Sequence, residues 1–90
     1  MKKNASIGEF LKERRMKKGI TQADLSKTLG YSSAQFISNI ERDTARPPLK
    51  ILRTLMRVLE IGDKEMYDLI LTHSEMVLRK TIFGSKAARR

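Results

Sequence analysis

The chain has 90 residues, the size of one domain, and carries 19 Lys and Arg against 10 Asp and Glu, a formal net charge of +9. It has no cysteine, which excludes disulfides and thiolate metal sites. No apolar run approaches the roughly 18 residues that a membrane-spanning helix needs, and no apolar segment follows the N-terminal lysines as in a secretory signal. We therefore expect a cytoplasmic protein with no membrane partner. The charge suits a polyanionic partner, although a merely solvated basic surface would have the same composition.

The first two helices are predicted from the same starting signal. Ser6 with Glu9, and Thr21 with Asp24, have the spacing of a capping box, in which the hydroxyl accepts a backbone N–H at the start of a helix. The first helix should run over about residues 7–18, and the second should begin at Thr21. A glycine follows each helix and allows the positive φ of a sharp turn.

The third helix has two candidate N-caps. Ser32 would form a capping box with Gln35, whereas Ser33 would leave Gln35 free near the helix start. The helix ends before a Pro-Pro pair, because a residue that precedes proline avoids helical geometry. Its exposed polar face, suited to the edges of bases, comprises Gln35, Ser38, Asn39 and Arg42.

Two further helices complete an all-α pattern of five, with no strand signal. Pro48 can start the fourth helix in its first turn, and Gly62 closes it. Asp63 should cap the fifth helix, which continues to about Lys80. This helix is apolar on one side at Met66, Leu69, Ile70 and Val77, and on another side at Tyr67, Leu71 and Leu78.

The run TQADLSKTLG, a turn, a short helix that ends in IE, and the segment PLKILRTLMRVLEI follow one another along the chain. In this the chain resembles the Cro and phage-repressor type of helix-turn-helix domain, the XRE family, over residues 6–61. The resemblance implies a compact five-helix bundle whose helices 2 and 3 form a helix-turn-helix that binds double-stranded DNA. Outside the matching residues we expect a flexible arm at residues 1–5, a C-terminal helix at 62–83 and a disordered basic tail at 84–90.

The resemblance also implies roles for individual residues. Gln35 and Asn39 match positions that contact base edges, and Ser38 shares their surface. Both amides lie on one helix face and can pair with adenine or donate to guanine acceptors, although a solvated polar face is the alternative. Gln22 matches a glutamine that bonds a DNA phosphate, as suits a helix N-terminus. The expected phosphate contacts are Gln22, Ser33, Arg42, Arg46 and Lys50.

Arg15 and Glu41 match a pair that ties helix 1 to the end of helix 3 in phage repressors. Breaking such a pair costs about 3–5 kcal/mol if it is buried and under about 1 kcal/mol if it is exposed. The chain departs from the family by an extra residue between Gly30 and Glu41, by Asp43 in place of a glycine, and by a longer, more apolar fifth helix.

The apolar pattern of the fifth helix predicts that a second protein chain covers one of its sides. A helix apolar on two sides cannot bury both against so small a core, so one side should pair two copies in a two-fold dimer or hold another protein. A single wide stripe facing the core is the alternative. His73 on the inner side is expected to be a core-boundary residue. The expected dimer residues are Tyr67, Leu71, Leu78, Ile82 and Phe83.

No arrangement of a nucleophile with a base and no glycine-rich phosphate loop is visible, so we expect neither an enzyme nor a bound cofactor or metal. The expected function is that of a dimeric transcription repressor of bacterial or phage type, which binds a palindromic operator in the major groove. Two alternatives remain. One is an antitoxin that binds its own operator and a toxin protein through the C-terminal helix, and the other is a helical protein-interaction module.

Overall fold

The computed structural model describes residues 6–84. Within them the chain forms five α-helices and no strand, which confirms the predicted all-α fold. The arm predicted at residues 1–5 and residues 85–90 of the predicted tail lie outside the described residues. The helices are α1 (Ile7–Lys17), α2 (Gln22–Thr28), α3 (Gln35–Glu41), α4 (Leu49–Leu59) and α5 (Asp63–Phe83).

The first turn of α1 is held by side chains from three parts of the chain. A helix leaves its first amide groups without partners inside the helix, and here side chains supply them. Ile7 N–H donates to His73 Nδ1 at 3.1 Å, Gly8 N–H to Asp43 Oδ1 at 3.0 Å, and Glu9 N–H to Ser6 Oγ at 3.1 Å. The serine cap is local, whereas the other two bonds fasten α1 to α5 and to the loop after α3.

α1 also approaches the C-terminal end of α3 very closely at Gly8. A Cβ atom at this position would lie 2.5 Å from the backbone oxygens of both Ile40 and Glu41. Because those oxygens belong to the backbone of a helix, they cannot move aside as the end of a flexible side chain would. Glycine is therefore required here, and the contact fixes the end of α3 against α1.

The core lies among these helices and consists mainly of Leu and Ile. Burying one such side chain contributes about 1.5–3 kcal/mol before the entropy cost of folding. This packing holds α2 and α3, since helices of seven residues are not stable alone in water. The buried cluster comprises Ile7, Leu11, Leu25, Ile37, Ile40, Leu55, Leu59, Ile61 and Met66.

α3 starts later than predicted. It begins at Gln35 with Ala34 in the N-cap position, whereas a serine cap would have placed the start earlier. Ser33 Oγ accepts the Gln35 N–H at 3.0 Å, so the capping box between Ser32 and Gln35 does not form. Residues 31–34 therefore belong to the turn before α3 rather than to the helix.

The connection between α4 and α5 also differs from the prediction. Pro48 stands at the N-cap of α4 with an extended ψ of 142° rather than in its first turn. Glu60 adopts the left-handed conformation at φ 56°, so Gly62 does not end α4 but caps α5, and Asp63 is the first residue of α5. The Lys18 ammonium contacts the Glu60 carboxylate at 2.6 Å and lowers the pKa of that group, first through the hydrogen bond and then through charge attraction.

α5 is 21 residues long, and only its first part lies on the core. Met66 and His73 are buried, whereas every residue from 77 to 84 is exposed. The helix therefore extends past the body, and the molecule measures 47 × 26 × 26 Å along its principal axes. Among residues 6–84, no helix is long and apolar enough to cross a membrane.

Candidate nucleic-acid interface

α2 and α3 pack against each other across a tight turn at residues 29–34. Gly30 supplies the positive φ of 94° that reverses the chain, and Tyr31 N–H then donates to Ser26 O at 2.9 Å. The Tyr31 ring stacks on Phe36, with centroids 3.6 Å apart and planes 13° from parallel. These contacts determine the direction in which α3 leaves the turn.

α3 has one apolar face and one polar face. Ile37 and Ile40 are each only 2 % exposed and anchor the helix in the core. On the other side, Gln35 and Arg42 are exposed, and Ser38 and Asn39 are half-buried. The polar face so formed, called the α3 face below, comprises Gln35, Ser38, Asn39 and Arg42.

The four side chains of the α3 face are connected by hydrogen bonds. Gln35 Nε2 donates to Asn39 Oδ1 at 2.9 Å. Arg42 donates from Nη2 to the same oxygen at 2.9 Å and from Nη1 to Ser38 Oγ at 3.2 Å. The face is therefore an ordered row of polar groups rather than four independent side chains.

Behind this face, Arg15 and Glu41 form a two-pronged ion pair. Arg15 Nε lies 2.6 Å from Glu41 Oε2, and Nη2 lies 3.1 Å from Oε1. The Arg15 and Glu41 side chains are only 10 % and 3 % exposed. The pair is therefore buried, and taking both charges out of water costs free energy. The third guanidinium nitrogen donates to the Ile20 oxygen at 2.7 Å, which leaves the arrangement well satisfied. The pair holds the end of α3 on α1.

Gln22 joins this pair from the first position of α2. Its Nε2 donates to Glu41 Oε1 at 2.9 Å, and the side chain is half-buried. A primary amide nitrogen carries two hydrogens, so one remains for an outside acceptor. The buried carboxylate thus sets the direction of a donor beside the free amide groups at the start of α2.

The predicted phosphate contacts outside α2 lie before and after the α3 face. Ser33 precedes α3, while Arg46 and Lys50 follow it in the loop and in the first turn of α4; all are exposed. The loop is tied to α3, because Thr44 donates from both N and Oγ1 to the Asn39 backbone oxygen, at 2.9 and 3.0 Å. Ser33 Oγ accepts a backbone N–H, which leaves its own hydrogen to donate.

The cations next to α3 are not neutralised by acidic side chains of the described residues. Among residues 6–84, Arg42, Arg46 and Lys50 take part in no ion pair. Acidic groups near the start of α5 are instead contacted from α1, for example in the Arg14–Glu65 pair at 2.6 Å. The charges of these three cations are therefore not offset by an ion pair within residues 6–84, as suits binding to a polyanion.

Sequence reasoning missed two side chains that anchor this region. Asp43 was identified only as a tolerated replacement for glycine, yet at φ 61° its carboxylate also caps α1 through the Gly8 N–H. His73 was expected at the core boundary, and it is buried with Nδ1 bonded to the Ile7 N–H. No sequence signal indicates a contact between residues 66 positions apart.

Comparisons with known proteins identify the same part of the chain. A family model for HTH_3, described as helix-turn-helix, matches residues 11–65, more than half of the chain. Searches of curated proteins and of solved structures gave no match. The matched segment contains the whole of α2, α3 and α4. Within residues 6–84, no group of three or more His, Cys, Asp or Glu side chains could hold a metal ion.

Proposed function

The chain belongs to the XRE-type helix-turn-helix family, whose members bind DNA as transcription regulators, and we propose that it is a dimeric repressor of a palindromic operator. The α3 face carries this proposal. It combines an ordered row of amide and hydroxyl groups, cations that form no ion pair within the described part of the chain, and a buried ion pair that holds the helix in place.

In the proposed complex, α3 lies in the major groove, which is about 12 Å wide and admits an α-helix. Gln35, Ser38 and Asn39 then face base edges, since they share the exposed side of α3 while Ile37 faces the core. Each well-placed amide contact discriminates against a wrong base by about 1–3 kcal/mol. These three residues would determine the sequence preference.

The proposed phosphate contacts position α3 in the groove. Gln22 supports this role because its remaining amide hydrogen lies at the N-terminus of α2, where free amide groups and the helix dipole favour an anion. Arg46 and Lys50 are exposed cations, and Ser33 has a hydroxyl hydrogen to donate. Arg42, at the end of α3, adds a further cation. Such contacts raise the affinity for every sequence and make binding depend on salt.

Dimerisation is proposed through one side of α5. Tyr67, Leu71, Leu78 and Ile82 follow at spacings of four, seven and four residues, which places them along one stripe of the helix. All are more than half exposed, and so is Phe83, which lies about a quarter of a turn away from Ile82. A second copy would cover this stripe and align two α3 helices with successive turns of DNA.

The proposal is tested by selecting bound sites from random duplexes and then measuring the affinity of variants for single-base changes in the selected site. Gln35→Ala and Asn39→Ala should each lose about 1–3 kcal/mol of discrimination at one base pair. Lys50→Ala is the matched control, because it removes a phosphate contact and should weaken all duplexes alike. If the wild-type chain prefers no sequence, the repressor proposal is wrong.

The protein-partner alternatives differ in what covers the α5 stripe. An antitoxin would hold a toxin protein there and still select an operator. An interaction module would bind protein while showing weak DNA binding without sequence preference. The selection experiment therefore separates the module from the other two functions.

A further inference from the structure

We propose that Arg42 determines the base specificity of Asn39 by holding its side-chain oxygen away from the DNA. The inference rests on the proposed function and deepens it, since it names the class of base that each amide of the α3 face contacts. Asn39 would then contact a base with a keto group in the major groove, guanine or thymine, and Gln35 would contact adenine.

The geometry starts from the oxygen of Asn39. Oδ1 lies 2.9 Å from Gln35 Nε2 and 2.9 Å from Arg42 Nη2, and both of those nitrogens donate. A carboxamide oxygen has two lone pairs, so both are occupied. The oxygen is therefore not available to accept a hydrogen bond from a base.

The orientation of the Asn39 amide follows from the chemistry of Arg42. A guanidinium only donates hydrogen bonds, so the oxygen of Asn39 and not its nitrogen must face it. The same guanidinium donates to Ser38 Oγ from its other terminal nitrogen at 3.2 Å. Because the group is planar, the two bonds fix it against the helix, and a flexible lysine ammonium cannot reproduce this fork.

What remains for DNA differs between the two amides. Asn39 Nδ2 accepts nothing and can only donate. Its two hydrogens suit the paired acceptors O6 and N7 of guanine, or O4 of thymine, whereas adenine offers N7 alone and turns the N6 amino group, itself a donor, towards the amide. Gln35 donates one amide hydrogen to Asn39. Its oxygen and its second hydrogen remain free, and they suit N6 and N7 of adenine, respectively. Asn39 could form the two-bond contact with N6 and N7 of adenine only if Arg42 released its oxygen.

This role comes in addition to the phosphate contact proposed for Arg42 and can be distinguished from it. A residue that contributes only positive charge would affect the affinity for all duplexes alike and would be replaced by lysine with little change. A positioning residue instead affects which base Asn39 prefers, and lysine does not restore it. The exposed position of Arg42 at the end of α3 allows the exchange without disturbing the core.

The test measures affinities for the four bases at the pair where Asn39→Ala abolishes discrimination. The wild-type chain should favour guanine or thymine over adenine by about tenfold. Arg42→Lys should raise the relative affinity for adenine at that pair, whereas Arg46→Lys, a matched exposed cation, should leave the order of bases unchanged. Equal weakening of all four duplexes by Arg42→Lys, or a wild-type preference for adenine at that pair, would overturn the inference.

A second measurement in the free protein separates this inference from the proposed function. The side-chain amide signals of Asn39 and Gln35 in a ¹⁵N-correlated NMR spectrum should shift in Arg42→Lys and stay unchanged in Arg46→Lys. If the Asn39 signal does not respond to Arg42→Lys, the contact does not exist and the inference fails whatever the DNA data show. If it responds but the chain prefers no sequence, the contact stands, while the repressor proposal and the base assignments built on it fail.

Discussion

At the residue scale, the hydroxyl group of Ser26 in α2 is buried without stabilising the helix through a hydrogen bond. The residue is 0 % exposed, and its Oγ has no hydrogen-bond partner within residues 6–84. Burying such a group without a partner costs about 1–3 kcal/mol, so Ser26→Ala should raise the free energy of unfolding by about 1 kcal/mol in urea denaturation. Ser32→Ala, at an exposed turn position, should change it by less than about 0.5 kcal/mol. A loss of stability in Ser26→Ala would show that the hydroxyl has a partner after all.

The buried Arg15–Glu41 pair is explained by its geometry rather than by its charge alone. A buried ion pair often contributes no more than apolar residues of the same size, because both charges lose their hydration. Here Glu41 also accepts from Gln22, so the carboxylate positions a donor at the start of α2. The pair therefore connects the stability of the domain to its proposed phosphate contact.

At the scale of elements, Asp43 joins two helices, α1 and α3. It ends α3 in the left-handed conformation at φ 61° and caps α1 through the Gly8 N–H. Asp43→Ala removes the cap and keeps the unfavourable φ, so the free energy of unfolding should fall by about 2 kcal/mol. Asp43→Gly removes the same cap but relieves the backbone, and should lose about 1 kcal/mol less than alanine.

Thermal or urea denaturation of both variants, with Asp43→Asn as the control, separates the two effects. Asparagine tolerates the left-handed conformation and keeps an acceptor oxygen, so it should be the mildest change. If alanine and glycine cost the same, the φ of residue 43 carries no strain. If asparagine costs as much as alanine, the negative charge of the cap outweighs its geometry.

The helices themselves were predictable, because their signals are local. Ser6 and Thr21 cap α1 and α2 as their spacing predicts, and both hydroxyls accept the N–H three residues later. The ends that were missed depend on the rest of the molecule. Gly62 was expected to close α4, but Glu60 ends it in the left-handed conformation, and Lys18 at the C-cap of α1 contacts its carboxylate. Tertiary contacts of this kind leave no mark in a local pattern.

The α3 face was predictable in its members but not in its connections. Helical spacing places Gln35 and Asn39 on one side, and the structure has them there. That Arg42 bonds both Asn39 and Ser38 depends on the choice of side-chain conformations, for which the sequence contains no signal. The proposed specificity therefore could not have been derived from residue types alone.

At the scale of the whole molecule, the body of the domain and the end of α5 have different proposed roles, DNA binding and dimerisation. The core lies among α1–α4 and the first turns of α5, while residues 77–84 extend beyond it and are all exposed. In the proposed complex, a single α3 helix would contact only a few base pairs, too few to select a site. Two copies joined along α5 would present two α3 helices about 34 Å apart, the distance of one turn of DNA.

The most direct measurement compares the affinity of the chain for a duplex with two inverted copies of the selected half-site and for a duplex with one copy. The wild-type chain should bind the paired site more than about a hundredfold tighter, because the second contact becomes intramolecular. A chain with both Leu71→Gln and Leu78→Gln should lose this gain and keep its affinity for the single half-site. Met16→Gln, which changes a 61 % exposed methionine on α1, is the control and should keep the gain. Equal wild-type affinity for the two duplexes, or an undiminished gain in the double variant, would contradict the account of a dimer joined through α5.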